Sequence, residues 1–244
     1  MTLGISFLII LFLVALLYSV IGHGGASGYI ALMVMFSVPF VSIKPTALIL
    51  NIVVSFLGFV MYFKAGHFKW RLFWPLIIAS VPAAFLGGFL KLNQPVVNNI
   101  LAVILLFSCY RLLIKNKTEN NENSSEVPVY YLLGIGALVG FLSGMLGIGG
   151  GIILSPLLIL FKWTDARATA AISAPFIFLN SISGLVAFPV SGGSVPPNIL
   201  PLILVVVAGG FIGSTLGSRG FSLYSLRVVL ALTVTFAAFK LFSI

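Results

Sequence analysis

Runs of about eighteen or more apolar residues follow one another through this chain, and they leave few folds open. A run of that length crosses the hydrocarbon of a bilayer as a helix, at 1.5 Å per residue. The same residues would overwhelm a soluble domain. Of the 244 residues, 60% are hydrophobic and 7% charged, against about 25% charged in soluble globular domains. The runs do not alternate apolar with polar, as the short strands of an outer-membrane barrel do. We therefore expect an all-α, multi-pass protein of the cell membrane (inner or plasma membrane), with the lipid bilayer as its first partner. Met1 to Ser6 carries no basic side chain, and the first run ends in Gly-His-Gly-Gly rather than a small-x-small cleavage site. It reads as a span, not a signal peptide. The lone Cys109 sits in an apolar run and can form no internal disulfide.

One apolar run is interrupted by Leu142-Ser-Gly-Met-Leu-Gly-Ile-Gly-Gly-Gly-Ile-Ile-Leu-Ser-Pro156. A glycine inside a helix costs about 1 kcal/mol relative to alanine, so a cluster of them unwinds it. Within hydrocarbon, unwound backbone persists only where protein or a water-filled cavity encloses it. An earlier copy is Ile21-Gly-His-Gly-Gly-Ala-Ser-Gly-Tyr29, whose Gly22, Gly24 and Gly25 align with Gly147, Gly149 and Gly150, 125 residues further on. Two broken apolar segments in corresponding halves point to a transporter's binding site.

The segments on either side repeat one plan. Leu3 to Ile21 makes a span, and a short apolar piece from Tyr29 to Phe40 follows the first break. Spans over Thr46–Phe63, Leu72–Leu90 and Pro95–Ile114 complete a first repeat, residues 1–114. Lys115 to Pro128 is polar, rich in Asn, Glu and Ser, and reads as a flexible linker. The second repeat, 129–244, opens with Val129–Leu146, the second break and a short piece from Ile152 to Phe161. Arg167-Ala-Thr169 matches Lys44-Pro-Thr46 at an offset of 123; Ser181-Ile-Ser-Gly184 matches Ser55-Phe-Leu-Gly58 at 126. If each break turns the chain back, one face collects ten of the 13 basic residues and the other only Lys44, Lys91 and Lys240. If the short pieces are ignored, the split is seven against six. The positive-inside rule favours the first arrangement. It gives each half an odd number of passes, hence inverted repeats, with both termini outside and the linker in the cytoplasm.

Backbone N–H groups at a half-helix N-terminus form a positive pocket for an oxyanion. Gly149, Gly150 and Gly151 precede the piece at Ile152, and Gly25 to Gly28, with Ser27, precede the one at Tyr29. His23 is the only ionisable side chain inside an apolar run of the first half, and such a group is a functional candidate by default. Thr46, Asn51 and Ser55 lie near one face of a helix, as do Thr169 and Ser173, with Asn180 two turns beyond. The expected substrate site is therefore Gly22, His23, Gly24, Gly25, Ser27, Thr46, Asn51, Gly147, Gly149, Gly150, Gly151, Thr169 and Ser173. The competing explanations are close helix packing for the glycines and interhelical bonding for the hydroxyls.

Gly144-Met-Leu-Gly-Ile-Gly-Gly-Gly151 followed by Pro156, with Ala168-Thr-Ala-Ala-Ile-Ser173 opening the next helix, resembles the sulfite exporter TauE/SafE family of membrane transporters. The likeness extends over essentially the whole chain. The first half departs from it, with Gly22-His-Gly-Gly-Ala-Ser27 and no proline soon after. The resemblance implies transport of small anions, chiefly sulfur-containing ones such as sulfite, thiosulfate and organosulfonates. An exporter working by alternating access follows from it; a channel-like uniporter and a non-transporting scaffold subunit remain alternatives. No Ser-His-Asp set, metal cluster or phosphate loop is present in the sequence, so we expect no enzyme, cofactor or metal, and no clustered bases for nucleic acid. The sequence leaves the oligomeric state open.

Overall fold

A computed structural model describes residues 4–90, 127–190 and 199–219, with isolated positions between 93 and 110. The expected span at Pro95–Ile114, the linker and the C-terminal basic residues Arg227 and Lys240 lie wholly or largely outside the described residues. Those residues form eight helices and no strand: α1 (Ile5–Val20), α2 (Ala26–Met35), α3 (Phe40–Lys64), α4 (Trp70–Gly88), α5 (Val129–Leu146), α6 (Gly151–Leu160), α7 (Ala166–Val190) and α8 (Leu200–Ser218). Helices α3, α4, α5, α7 and α8 are long and apolar enough to cross a membrane. The chain is thus an all-α, multi-pass membrane protein. At 25 residues each, α3 and α7 reach about 37 Å, longer than the roughly 30 Å hydrocarbon core, so they must tilt.

The duplication is visible in the packing. Helix α1 lies on α8 as α5 lies on α4, and α3 crosses α7 at the centre. The two outer pairs are built on glycines four residues apart. Methyl groups at Gly136, Gly140 and Gly144 would strike the α4 backbone at Leu76, Ser80 and Ala84. Those at Gly209, Gly213 and Gly217 would strike α1 at Phe12, Leu16 and Val20. Without a hydrophobic effect to drive helices together in lipid, such close approach supplies the dispersion contact. Both pairs advance together in number, so each runs parallel. The central pair runs antiparallel, for Gly58 meets Ala174, Phe56 meets Phe178, Asn51 meets Ser181 and Leu48 meets Gly184.

Each glycine break turns the chain back. Phe7 packs on Phe36, Val14 beside Gly28, and Tyr18 on Ser27, so α1 and α2 form an antiparallel hairpin. Glycines in the left-handed conformation cap both half-helices, Gly25 (φ 97°) before α2 and Gly150 (φ 82°) before α6. A side chain is strained there. The half-helices also end alike, at Ser37 and Lys162, each with φ 55°.

Several element boundaries differ from the sequence reading, most of all around α2, which ends at Met35 rather than Phe40, and α3. Helix α2 begins at Ala26, not Tyr29, which puts Ser27 and Gly28 inside it. Helix α3 begins at Phe40, not Thr46, and runs through Pro45. A proline this near the N-terminus removes one ladder bond and leaves the helix intact. The offset of 123 between Thr46 and Thr169 is also not the structural one. Lys44 packs on Gly147 as Ala170 packs on Gly22, so the repeats align Lys44 with Ala170.

Candidate functional site

The two glycine turns meet near the middle of the α3–α7 crossing, and Asn51 stands between them. A methyl at Gly24 would overlap its Oδ1 and one at Gly149 its Nδ2. The carboxamide is engaged at both ends: Oδ1 accepts from the Ala26 N–H at 3.2 Å, and Nδ2 donates to Ser181 Oγ at 2.8 Å. Asn51 thus caps α2 from a neighbouring helix and ties α3 to α7. It is wholly buried.

The N-termini of α2 and α6 both point into this place. Each carries the equivalent of about half a positive charge from its aligned peptide dipoles, strongest where water is excluded. His23, in the first turn, lies against the start of α6: its Cδ2 is 3.6 Å from where a Gly151 Cβ would sit. The ring is 9% exposed and meets Tyr18 edge-on, and its Nδ1 has no hydrogen-bond partner. The alternative of a histidine in water at a loop tip is excluded by that burial. An orphaned buried nitrogen demands explanation, and an oxyanion would supply its acceptor or share its proton. Ser143 Oγ, close to Gly150, is buried and unpartnered as well.

The sequence-derived residues divide into groups. His23, Gly24, Asn51, Gly149 and Gly151 gather at the centre. Gly150 is enclosed by Phe176, Val139 and Ser143, Gly22 by Ala170, and Gly147 by the Lys44 stem. Ser27 bonds Tyr18 (3.1 Å) and Ser173 bonds Ser155 (2.8 Å). Thr169 is engaged locally, with Thr164 and the Asp165 carbonyl, each at 2.6 Å. Thr46 is buried on α3 more than a turn before Asn51. The sequence reading passed over Ile177, which touches both turns and is the α7 counterpart of Asn51. Its signal was the 126-residue offset; its apolar nature hid it.

Toward the start of α3, the Lys44 ammonium donates to the carbonyls of Met145 (3.2 Å) and Gly88 (3.4 Å), at the ends of α5 and α4. A cation there complements two helix C-termini. Lys44, Met145, Leu146 and Ile30 line a cavity of about 30 Å³ beside the turns, room for a water and little more.

Comparison with known proteins finds membrane transporters. The family model described as "Sulfite exporter TauE/SafE" matches residues 7–241. The chain is 36% identical over 242 residues to a probable membrane transporter protein, y4hK, of Sinorhizobium fredii, covering 98% of each. It is 26% identical over 147 residues to a probable membrane transporter protein of Methanocaldococcus jannaschii, covering 59% of this chain and 54% of that one. No solved structure matches.

Proposed function

This chain belongs to the sulfite exporter TauE/SafE family of membrane transporters, and from that premise we propose that it moves small sulfur oxyanions, such as sulfite, thiosulfate or an organosulfonate, out across the cell membrane. The observation that carries the reading is the convergence of two helix N-termini, one from each half, on a buried place holding the unpartnered His23 Nδ1. An anion there is held by fixed dipoles rather than by a salt bridge. It can bind without being trapped.

Inverted repeats provide the alternation. The antiparallel crossing of α3 and α7 supports halves of opposite orientation, and a site between such halves opens to either face as one rocks against the other. The direction rests on electrostatics. The four acidic residues are Asp165 and three glutamates of the linker region, so no intramembrane carboxylate is available to carry a coupling proton or sodium ion. An inside-negative potential favours anion exit by about 2.3 kcal/mol per charge per 100 mV.

The test is flux of ³⁵S-sulfite and ³⁵S-thiosulfate from proteoliposomes under an imposed potassium-diffusion potential. Sulfite or thiosulfate efflux that rises with inside-negative potential is the expected result. Gly151→Ala, helical in backbone and directed at the Ile177 side chain and His23, should fold and lose most of it. A reconstituted native protein that neither moves nor binds either anion overturns the reading.

A further inference from the structure

The two halves differ most where they touch. Asn51 and Ile177 hold equivalent stations on α3 and α7, yet the first is a polar cap and the second a branched hydrocarbon. The Ile177 side chain reaches three glycines from both turns. Its Cγ2 lies 3.0 Å and 2.8 Å from where methyl groups on Gly24 and Gly149 would sit, and its Cγ1 2.5 Å from one on Gly151. It is 1% exposed. Along α7 the buried residues one turn apart are Thr169, Ser173, Ile177 and Ser181, a row of hydroxyls interrupted at the level of the glycine turns.

We propose that Ile177 is the gate of the anion path: its side chain fills the space between the two glycine turns that the substrate must occupy or pass, and transport requires it to move. This rests on the transporter reading and adds the residue that closes the path. The physics is that of a narrow apolar constriction, which dewets and so bars hydrated ions without a charge of its own. Moving an unpaired anion into hydrocarbon costs many kcal/mol, so a single sec-butyl group can suffice where the N–H groups stand beyond it. Helical β-branched side chains also have one strongly favoured χ1. The side chain therefore leaves the path by shifting with α7 rather than by rotating alone, which couples gating to the rocking of the halves. The same constriction filters by size: a small pyramidal or tetrahedral oxyanion passes sooner than a bulky organosulfonate.

The competing account makes Ile177 a packing residue of the α3–α7 crossing. Native protein, Ile177→Val and Ile177→Ala are compared in proteoliposomes for passive ³⁵S-sulfite efflux, and in planar bilayers for chloride current. The gate predicts leak in the order native, Val, Ala, with alanine raising it by about tenfold, the change that 1.4 kcal/mol off a barrier gives. It also predicts that alanine narrows the difference in rate between sulfite and the bulkier organosulfonate anion isethionate. A packing residue predicts a lower unfolding temperature with native flux and no current. Should alanine fail to fold, valine, which removes only the methyl nearest Gly151, decides alone. Native sulfite transport with no added leak in the folded variant overturns the gate and leaves the transporter reading standing. Silence of native and variant proteins alike, toward both sulfite and chloride, overturns both.

Discussion

Asn51 makes two bonds that no neighbour can replace, and its loss should therefore cost more than the loss of either partner. Asn51→Leu keeps the volume but leaves the Ala26 N–H and the Ser181 hydroxyl unmatched in a dry interior. An unsatisfied buried group costs about 1–3 kcal/mol, whereas an interhelical hydrogen bond in membrane averages about 0.6 kcal/mol. Thermal unfolding in detergent should show Asn51→Leu, which orphans two groups, more destabilised than Ser181→Ala, which orphans only the Asn51 Nδ2; equal shifts would mean that the cap on α2 contributes nothing. His23 invites a second measurement. If an anion faces the orphaned Nδ1, binding to a protonated ring strengthens as pH falls through the ordinary histidine range near 6.5. Burial opposes that charge in the empty site, and the anion favours it. Affinity for thiosulfate, which keeps its double negative charge across this range, should rise from pH 8 to about pH 5.5 and His23→Gln should flatten the dependence. Overlapping curves for the two proteins would remove His23 from the site. Tyr18 is the ionisable neighbour whose ring faces it, so Tyr18→Phe serves as the control.

At the scale of elements, helix pairs here are held by glycine ladders, and position along the ladder decides what a substitution does. Gly140→Leu would drive a side chain into the Ser80 backbone, while Gly134, nearly two turns away, has nothing within 4 Å of a Cβ. Overpacking costs typically about 1–3 kcal/mol. We expect Gly140→Leu to lower the unfolding temperature markedly and Gly134→Leu to leave it unchanged; matching effects would mean that α4 and α5 do not pack as described. Much of this level was legible in the residues. Val129–Leu146 was read with the bounds it has, because glycine and apolar content change sharply at Gly147. The start of α2 was misplaced because its capping partner lies elsewhere in the chain, and that of α3 because Pro45 stands inside the helix. Asn51 caps α2 from 25 residues away, and no local signal announces that. Glycines also read alike in sequence whether they border the Asn51 carboxamide, as Gly149 does, or lie against Phe176 and Val139, as Gly150 does. Ile177 escaped notice for a related reason. Its role depends on what surrounds it, and an apolar residue in an apolar helix carries no mark.

At the scale of the molecule, helix directions and charge can be set against each other. Because α7 runs against α3 and α8 runs with it, Lys64, Lys69, Arg71, Lys162, Arg167 and Arg219 all fall at one end of the bundle. Lys44 is the one basic residue among those described at the other. Six against one agrees with the sequence count of ten against three, and the positive-inside rule makes the crowded end cytoplasmic. Ser37 and Lys162 then become the decisive pair. They end the two half-helices at equivalent stations, share the same backbone conformation and are exposed. Inverted halves put them on opposite sides of the membrane, and halves of like orientation put them on the same side. In a Cys109→Ala background, Ser37→Cys should react with an impermeant maleimide in intact cells, and Lys162→Cys only after permeabilisation. Labelling of both from outside, or of neither, would overturn the inverted arrangement, and a site between the halves would then have to open to either face by the rocking of two like-facing halves.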